Sequence, residues 1–254
     1  MRSMSYRGQV LVLAALTISL AILSTQAYVY RLSRTEASAG WIALSDYVLS
    51  IEQGSRHAVV ASLVNVSRGG ASSNLRENLD RWEAFVGGDY SYGRCDLNAT
   101  TASRAPYSGG VWLDWGASGR GISSACADFI LNLSGRGAEV DWVFDVNVTT
   151  TALVSGSYEQ VDKDYKLVSL GVNVLNEGEP SLAGAITISY SSSKNETWGD
   201  ASTLGDYSWR DFGNGTYGYS FTVDVKEKED VYIRAEVYDL RGIFVQAETT
   251  LPGI

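Results

Sequence analysis

Val140–Thr151 reads VDWVFDVNVTTT. β-Branched and aromatic residues fill most of it, and over much of its length apolar positions alternate with polar ones, the period of an extended strand. The same signature recurs on both sides. Upstream it appears at Val111 to Trp115 (VWLDW) and at Ala127 to Leu133. Downstream it appears at Lys166 to Leu175 (KLVSLGVNVL), Ala185 to Tyr190, Gly218 to Val225, Val231 to Leu240 and Ile243 to Thr250. Turn-forming stretches such as Asn176-Glu177-Gly178-Glu179-Pro180 separate these runs. From Gly88 onward the chain therefore reads as short strands of a sandwich or Greek key.

Toward the N-terminus the period changes. Trp41, Leu44, Val48, Ile51, Val59, Leu63 and Val66 recur mostly at three- and four-residue steps, one apolar stripe on a helix. Gly69-Gly70 ends that segment. Ser73 or Asn74 then caps a second helix through Trp82 and Phe85, stopped by Gly87-Gly88. Ahead of both, Arg2 and Arg7 precede an uncharged run from Gly8 to Tyr30, closed by Arg31, Arg34 and Glu36. As a helix that run is about 35 Å long, against about 30 Å of bilayer hydrocarbon. Three readings fit it: a signal peptide cut beyond Thr25 and Ala27, an uncleaved anchor, or a short leader cut just before a helix that stays on the protein. In the last two the helix continues, with a bend near Ala39-Gly40, toward Val66.

The balance of 20 Lys and Arg against 29 Asp and Glu gives a net charge of −9, which argues against a nucleic-acid partner. Asn-x-Ser/Thr occurs at Asn65, Asn98, Asn132, Asn147, Asn195 and Asn214, each a candidate N-glycosylation site on a translocated chain. Cys95 and Cys126 are the only cysteines, and in a secreted chain two cysteines most simply form one disulfide. With a single histidine, His57, on the striped helix, no Ser-His or Cys-His arrangement and no metal site is expected. GxSxG, HExxH and Walker motifs are absent from the sequence. The repeats Ser118-Gly119-Arg120-Gly121 and Ser134-Gly135-Arg136-Gly137 read as hairpin turns. Asp162-Lys163-Asp164 and the acids Glu227, Glu229 and Asp230 lack the ligand spacing of a calcium loop. Trp112, Trp115, Trp198 and Trp209 suit core packing, or stacking on sugars where exposed.

Arg7-Gly8-Gln9 followed by the apolar run resembles the processing site of archaeal type IV pilins and related pilin-like surface proteins. The resemblance implies cleavage after Gly8 and a mature chain starting at Gln9. Its fifth mature position is Leu13, where such pilins carry glutamate. The last hundred residues, with VSLGVNVLNEGEPSLAGAITISY and the hairpin Asp239-Leu240-Arg241-Gly242, resemble an immunoglobulin-like module of bacterial or archaeal surface proteins. The expected fold is thus mainly β with a long N-terminal α-helix: a membrane or filament helix followed by an immunoglobulin-like β-sandwich ectodomain. The expected division is a leader (1–8), a transmembrane or filament-core helix (9–32), an extracellular helical segment (33–87), a β-rich segment (88–157) and the sandwich (158–254). The function this implies is a structural cell-surface protein, a pilin-like filament subunit or component with a glycosylated β head. The alternative is a membrane-anchored binding or adhesion module. Neither is an enzyme or needs a cofactor. The expected partners are membrane lipid through residues 9–30, further copies of the chain through the N-terminal helix, and an unidentified surface ligand or glycan.

Overall fold

The computed structural model describes residues 23–27, 44–90, 93–135, 138–193 and 197–253. The chain divides into two compact units at Ile51/Glu52. Residues 23–27 are helical, and the long helix α1 covers 44–67. Along α1, Leu44, Ile51, Ser55, Val59, Leu63 and Val66 are buried, while Asp46, Glu52, Arg56 and His57 lie outside that stripe. That is an amphipathic helix with one covered face. The second helix, α2 (Asn74–Asp89), buries Leu75, Leu79 and Val86. It runs on through Gly87-Gly88, where the sequence predicts a stop. From Glu52 onward α1 meets α2 through three polar contacts, one of them Asn74 Nδ2 donating to Asn65 Oδ1. Trp82 Nε1 donates to Ser55 Oγ at 2.9 Å, and Asn78 Nδ2 donates to Ser62 Oγ at 2.9 Å. A Cβ on Gly54 would lie 2.2 Å from the Trp82 ring, so glycine permits this approach.

Twelve strands follow: β1 (Gly93–Thr101), β2 (Val111–Trp115), β3 (Arg120–Gly135), β4 (Ala138–Gln160), β5 (Tyr165–Asn176), β6 (Glu179–Pro180), β7 (Ala183–Ser191), β8 (Gly199–Asp200), β9 (Ser208–Asp211), β10 (Thr216–Asp224), β11 (Val231–Asp239) and β12 (Phe244–Leu251). All pairings between these strands are antiparallel. The eight-stranded sheet runs β1-β3-β4-β5-β10-β9, with β2 beside β3 and β6 beside β5; the four-stranded sheet runs β12-β11-β7-β8. Alternate residues of β5 (Val168, Leu170, Val172, Val174) and β10 (Tyr217, Tyr219, Phe221, Val223) join those of β11 (Val231, Ile233, Ala235, Val237) in one apolar core. Lys166 closes that core at one end. It is fully buried, its Nζ donates to the Glu229 carbonyl, and it lies 4.4 Å from the Tyr158 ring. Desolvation pushes its pKa down, against the pull of Asp230, Glu229 and Glu227.

The structure corrects two expectations. The long N-terminal membrane or filament helix is not found: among the described residues no helix is long and apolar enough to cross a membrane. α1 fails that test because Asp46, Glu52 and Arg56 interrupt its apolar surface. The fold is mainly β, 52% strand in antiparallel sheets, and the described helices 44–67 and 74–89 are amphipathic. Residues 9–22, 28–32 and the bend at Ala39-Gly40 lie outside the described residues, as does the leader. The second correction is the disulfide. Cys95 and Cys126 are both buried and no bond joins them. The β1–β3 register explains why: Cys95 stands opposite Leu133, seven residues along β3 from Cys126. At about 3.3 Å per residue that is roughly 23 Å, and an odd number of steps puts the two thiols on opposite faces. A disulfide needs Cα atoms within about 7 Å.

Candidate functional site

The open face of the β1-β3-β4 sheet gathers three of the sequon asparagines. Asn98 stands opposite Ile130, and Ile130 opposite Val143; Asn132 stands opposite Asp96 and Asp141; Asn147 stands opposite Cys126. By the two-residue period these asparagines point to the same side, away from buried Leu97, Ala99, Phe129 and Leu131. All three are exposed, and between them Ile130 and Val143 leave 47% and 72% of their surfaces uncovered. Asn147 Oδ1 accepts from Tyr107 Oη at 3.2 Å, Ser124 Oγ at 3.3 Å and Thr149 Oγ1 at 3.2 Å. Asn214 is exposed in a turn between Gly213 (φ 73°) and Gly215 (φ 80°), and its Oδ1 accepts from the Thr216 N–H at 3.2 Å. Asn65 is exposed on α1 and accepts from Asn74 Nδ2. Asn195 lies outside the described residues, and so do Gly8 and Gln9.

A second site lies where the two sheets part. Trp209 and Asp211 stand opposite Tyr219 and Tyr217 in the β9–β10 pair, so they point toward the facing sheet. No described strand covers them there, because β8 pairs with β7 only at Ser189 and Tyr190. Trp209 is left 61% exposed on an inward-pointing position. The result is an open cleft of about 300 Å³. Its floor is Tyr217 and Tyr219, its walls are Tyr207, Trp209, Asp211 and the Ala183–Ile186 stretch of β7. Tyr217 Oη accepts from the Ala183 N–H at 2.8 Å. Burial raises the pKa of Tyr219 and of Tyr207, the latter with help from Asp200, so both phenols keep their protons. Arg210 points to the other side of β9, 5.2 Å from the Phe212 ring, and leaves Asp211 as the charged group lining the cleft.

The remaining sequence candidates take structural places. Cys126 Sγ accepts from Arg104 Nη2 at 3.4 Å, and burial raises its pKa, so it stays a thiol. His57 is exposed on α1 beside Arg81, Trp82 and Phe85, in a shallow groove. Trp115 donates to Ser123 Oγ at 3.0 Å and packs edge-on against Phe244. Trp112 meets Tyr107 edge-on, and Trp198 lies under Arg234 at 4.1 Å. The Gly119 turn bonds to β12 through Gly119 N–H to the Glu248 carbonyl at 2.6 Å. Asp162 accepts from the Asp164 N–H, which closes a turn. Among the described residues no group of three His, Cys, Asp or Glu could hold a metal ion.

Of the cleft, sequence reading names Trp209 alone. The signal for the rest is present in Tyr207, Trp209 and Asp211, which alternate before the Gly213-Asn214-Gly215 turn, and in Tyr217, Tyr219 and Phe221, which alternate after it. That is a hairpin with aromatics on one face. No protein-family model matches this chain, and no curated protein matches it significantly.

Proposed function

We propose that this chain is a structural cell-surface protein, a β body carrying N-linked sugars and working without catalysis. One observation carries the reading: every described sequon asparagine is exposed, and Asn98, Asn132 and Asn147 share one open sheet face. Such a face tolerates bulky, hydrophilic groups. Sugars there would also cover the exposed Ile130 and Val143. The test is glycopeptide mass spectrometry on protein purified from its native cells, paired with protease shaving of intact cells. The expected result is glycan mass on Asn98, Asn132 and Asn147 in a shaving-sensitive chain. Unmodified asparagines in a chain protected inside the cell would overturn the proposal. A second reading, an extracellular binding module, is favoured by the aromatic cleft between β7 and β9.

A further inference from the structure

The sheet edges of this protein are treated unequally. At the β1 edge, Arg76 Nη1 of α2 donates to the Ala99 carbonyl at 2.6 Å, and Glu83 Oε1 accepts from the Ala99 N–H at 2.6 Å. At the β12 edge, the 116–119 loop takes both backbone groups of Glu248, and Ser67 Oγ accepts from the Phe244 N–H at 3.1 Å. Native sheets cover edges in this way because a bare edge templates another strand. The β7 edge is covered over only part of its length. β8 occupies it at Ser189 and Tyr190, the 3-10 turn Ala201–Thr203 that follows β8 packs beside it, and the Ala183 N–H is taken by Tyr217 Oη; from Gly184 to Thr187 no described strand continues it. That bare length adjoins the cleft, beside inward-pointing Trp209 and Asp211.

We infer that the bare edge of β7, residues 184–187, is a docking site for an extended peptide strand bearing a basic side chain. The peptide pairs with β7 in line with β8 and extends the four-stranded sheet. Alternate side chains enter the cleft, one against the Trp209 and Tyr219 rings and one beside the Asp211 carboxylate. The basic preference comes from charge complementarity: Asp211 lines the cleft, Arg210 faces away, and the chain carries a net charge of −9. Small residues at Gly184 and Ala185 leave the β7 backbone accessible. The inference rests on the binding-module reading and is independent of the glycosylated face.

The test uses the full chain and the capped pentapeptide of sequence VKVKV. Controls are the glutamate counterpart VEVEV, a backbone N-methylated VKVKV and chitotriose. Affinity is read by calorimetry and pairing by hydrogen–deuterium exchange. The expected result is slowed exchange at residues 184–187 with VKVKV, and binding weaker by about tenfold or more for VEVEV. N-methylation should abolish the protection. Trp209→Ala should weaken VKVKV by about tenfold or more, and Asp211→Asn should erase the charge preference. Both side chains are exposed, so the variants should retain the wild-type circular dichroism. The inference is overturned by equal binding of VKVKV and VEVEV, by binding without protection at 184–187, or by no peptide binding. Chitotriose binding that shows the Trp209 dependence while VKVKV does not bind also overturns it, yet leaves the binding-module reading standing.

Discussion

At the scale of single residues, the most committed position is Asp239, whose side chain is fully buried in the β11–β12 hairpin. Its Oδ1 accepts from the Ile243 N–H at 2.8 Å, and its Oδ2 accepts from Thr150 Oγ1 at 2.8 Å and from Arg241 Nε at 2.8 Å. Arg241 also donates to Glu177 Oε1 at 2.6 Å and to the Thr149 carbonyl at 3.2 Å. The hairpin is thus tied to β4 and to the turn between β5 and β6. A buried carboxylate stripped of its cation is costly, whereas an exposed pair is worth little. Arg241→Ala should therefore lower unfolding stability by about 3–5 kcal/mol, and Arg241→Lys by less, since lysine keeps the charge but loses the fork. Urea titration of the two variants checks this. A loss under about 1 kcal/mol for Arg241→Ala would mean the pair is solvated in practice.

At the scale of elements, α2 covers the β1 edge through the Arg76 and Glu83 contacts at Ala99. Glu83→Ala leaves the Ala99 N–H without its acceptor, which costs about 1–3 kcal/mol where the group is buried. The double variant Arg76→Ala/Glu83→Ala should in addition self-associate, because the bared edge pairs with another copy. Light scattering against concentration reads this directly; a monodisperse monomer at high concentration would show that packing alone protects β1. This element also marks what can be read from sequence. β2, β5, β7, β10, β11 and β12 are legible because β-branched and aromatic residues alternate between turns. β1 escapes that reading although Cys95, Leu97 and Ala99 alternate with Arg94, Asp96 and Asn98, because two of its three inward residues are small. β8 and β9 escape it because two and four residues are too few to show a period. The disulfide expectation fails because cysteine counting carries no register, and register places the thiols on opposite faces. The aromatic hairpin that lines the cleft can be read from the sequence, but the opening cannot, since it depends on how little of β7 is covered by β8.

At the scale of the whole molecule, β4 joins the core between the two sheets to a second group of buried side chains that includes Leu97, Phe129 and Leu131. Its 23 residues pair with β3 from Ala138 to Leu153 and with β5 from Thr150 to Gln160. Over Thr150–Leu153 it is laddered on both sides, so neither pairing can be lost there without disturbing the other. Phe129 sits on one side of this junction, fully buried and stacked on Phe144 at 5.0 Å. Phe221 sits on the other, fully buried between the two sheets. Phe129→Ala and Phe221→Ala should each cost about 3–5 kcal/mol through lost burial and the cavity left behind. If the shared strand couples the cores, each variant lowers one common transition, and far- and near-ultraviolet circular dichroism melt together in all three proteins. If the cores are independent, wild type shows two transitions and each substitution moves a different one. Calorimetry separates the two cases. The continuity of β4 favours the first, because an independent core would have to keep its half of a central strand while the other half unfolds and exposes the ladder groups of Thr150–Leu153.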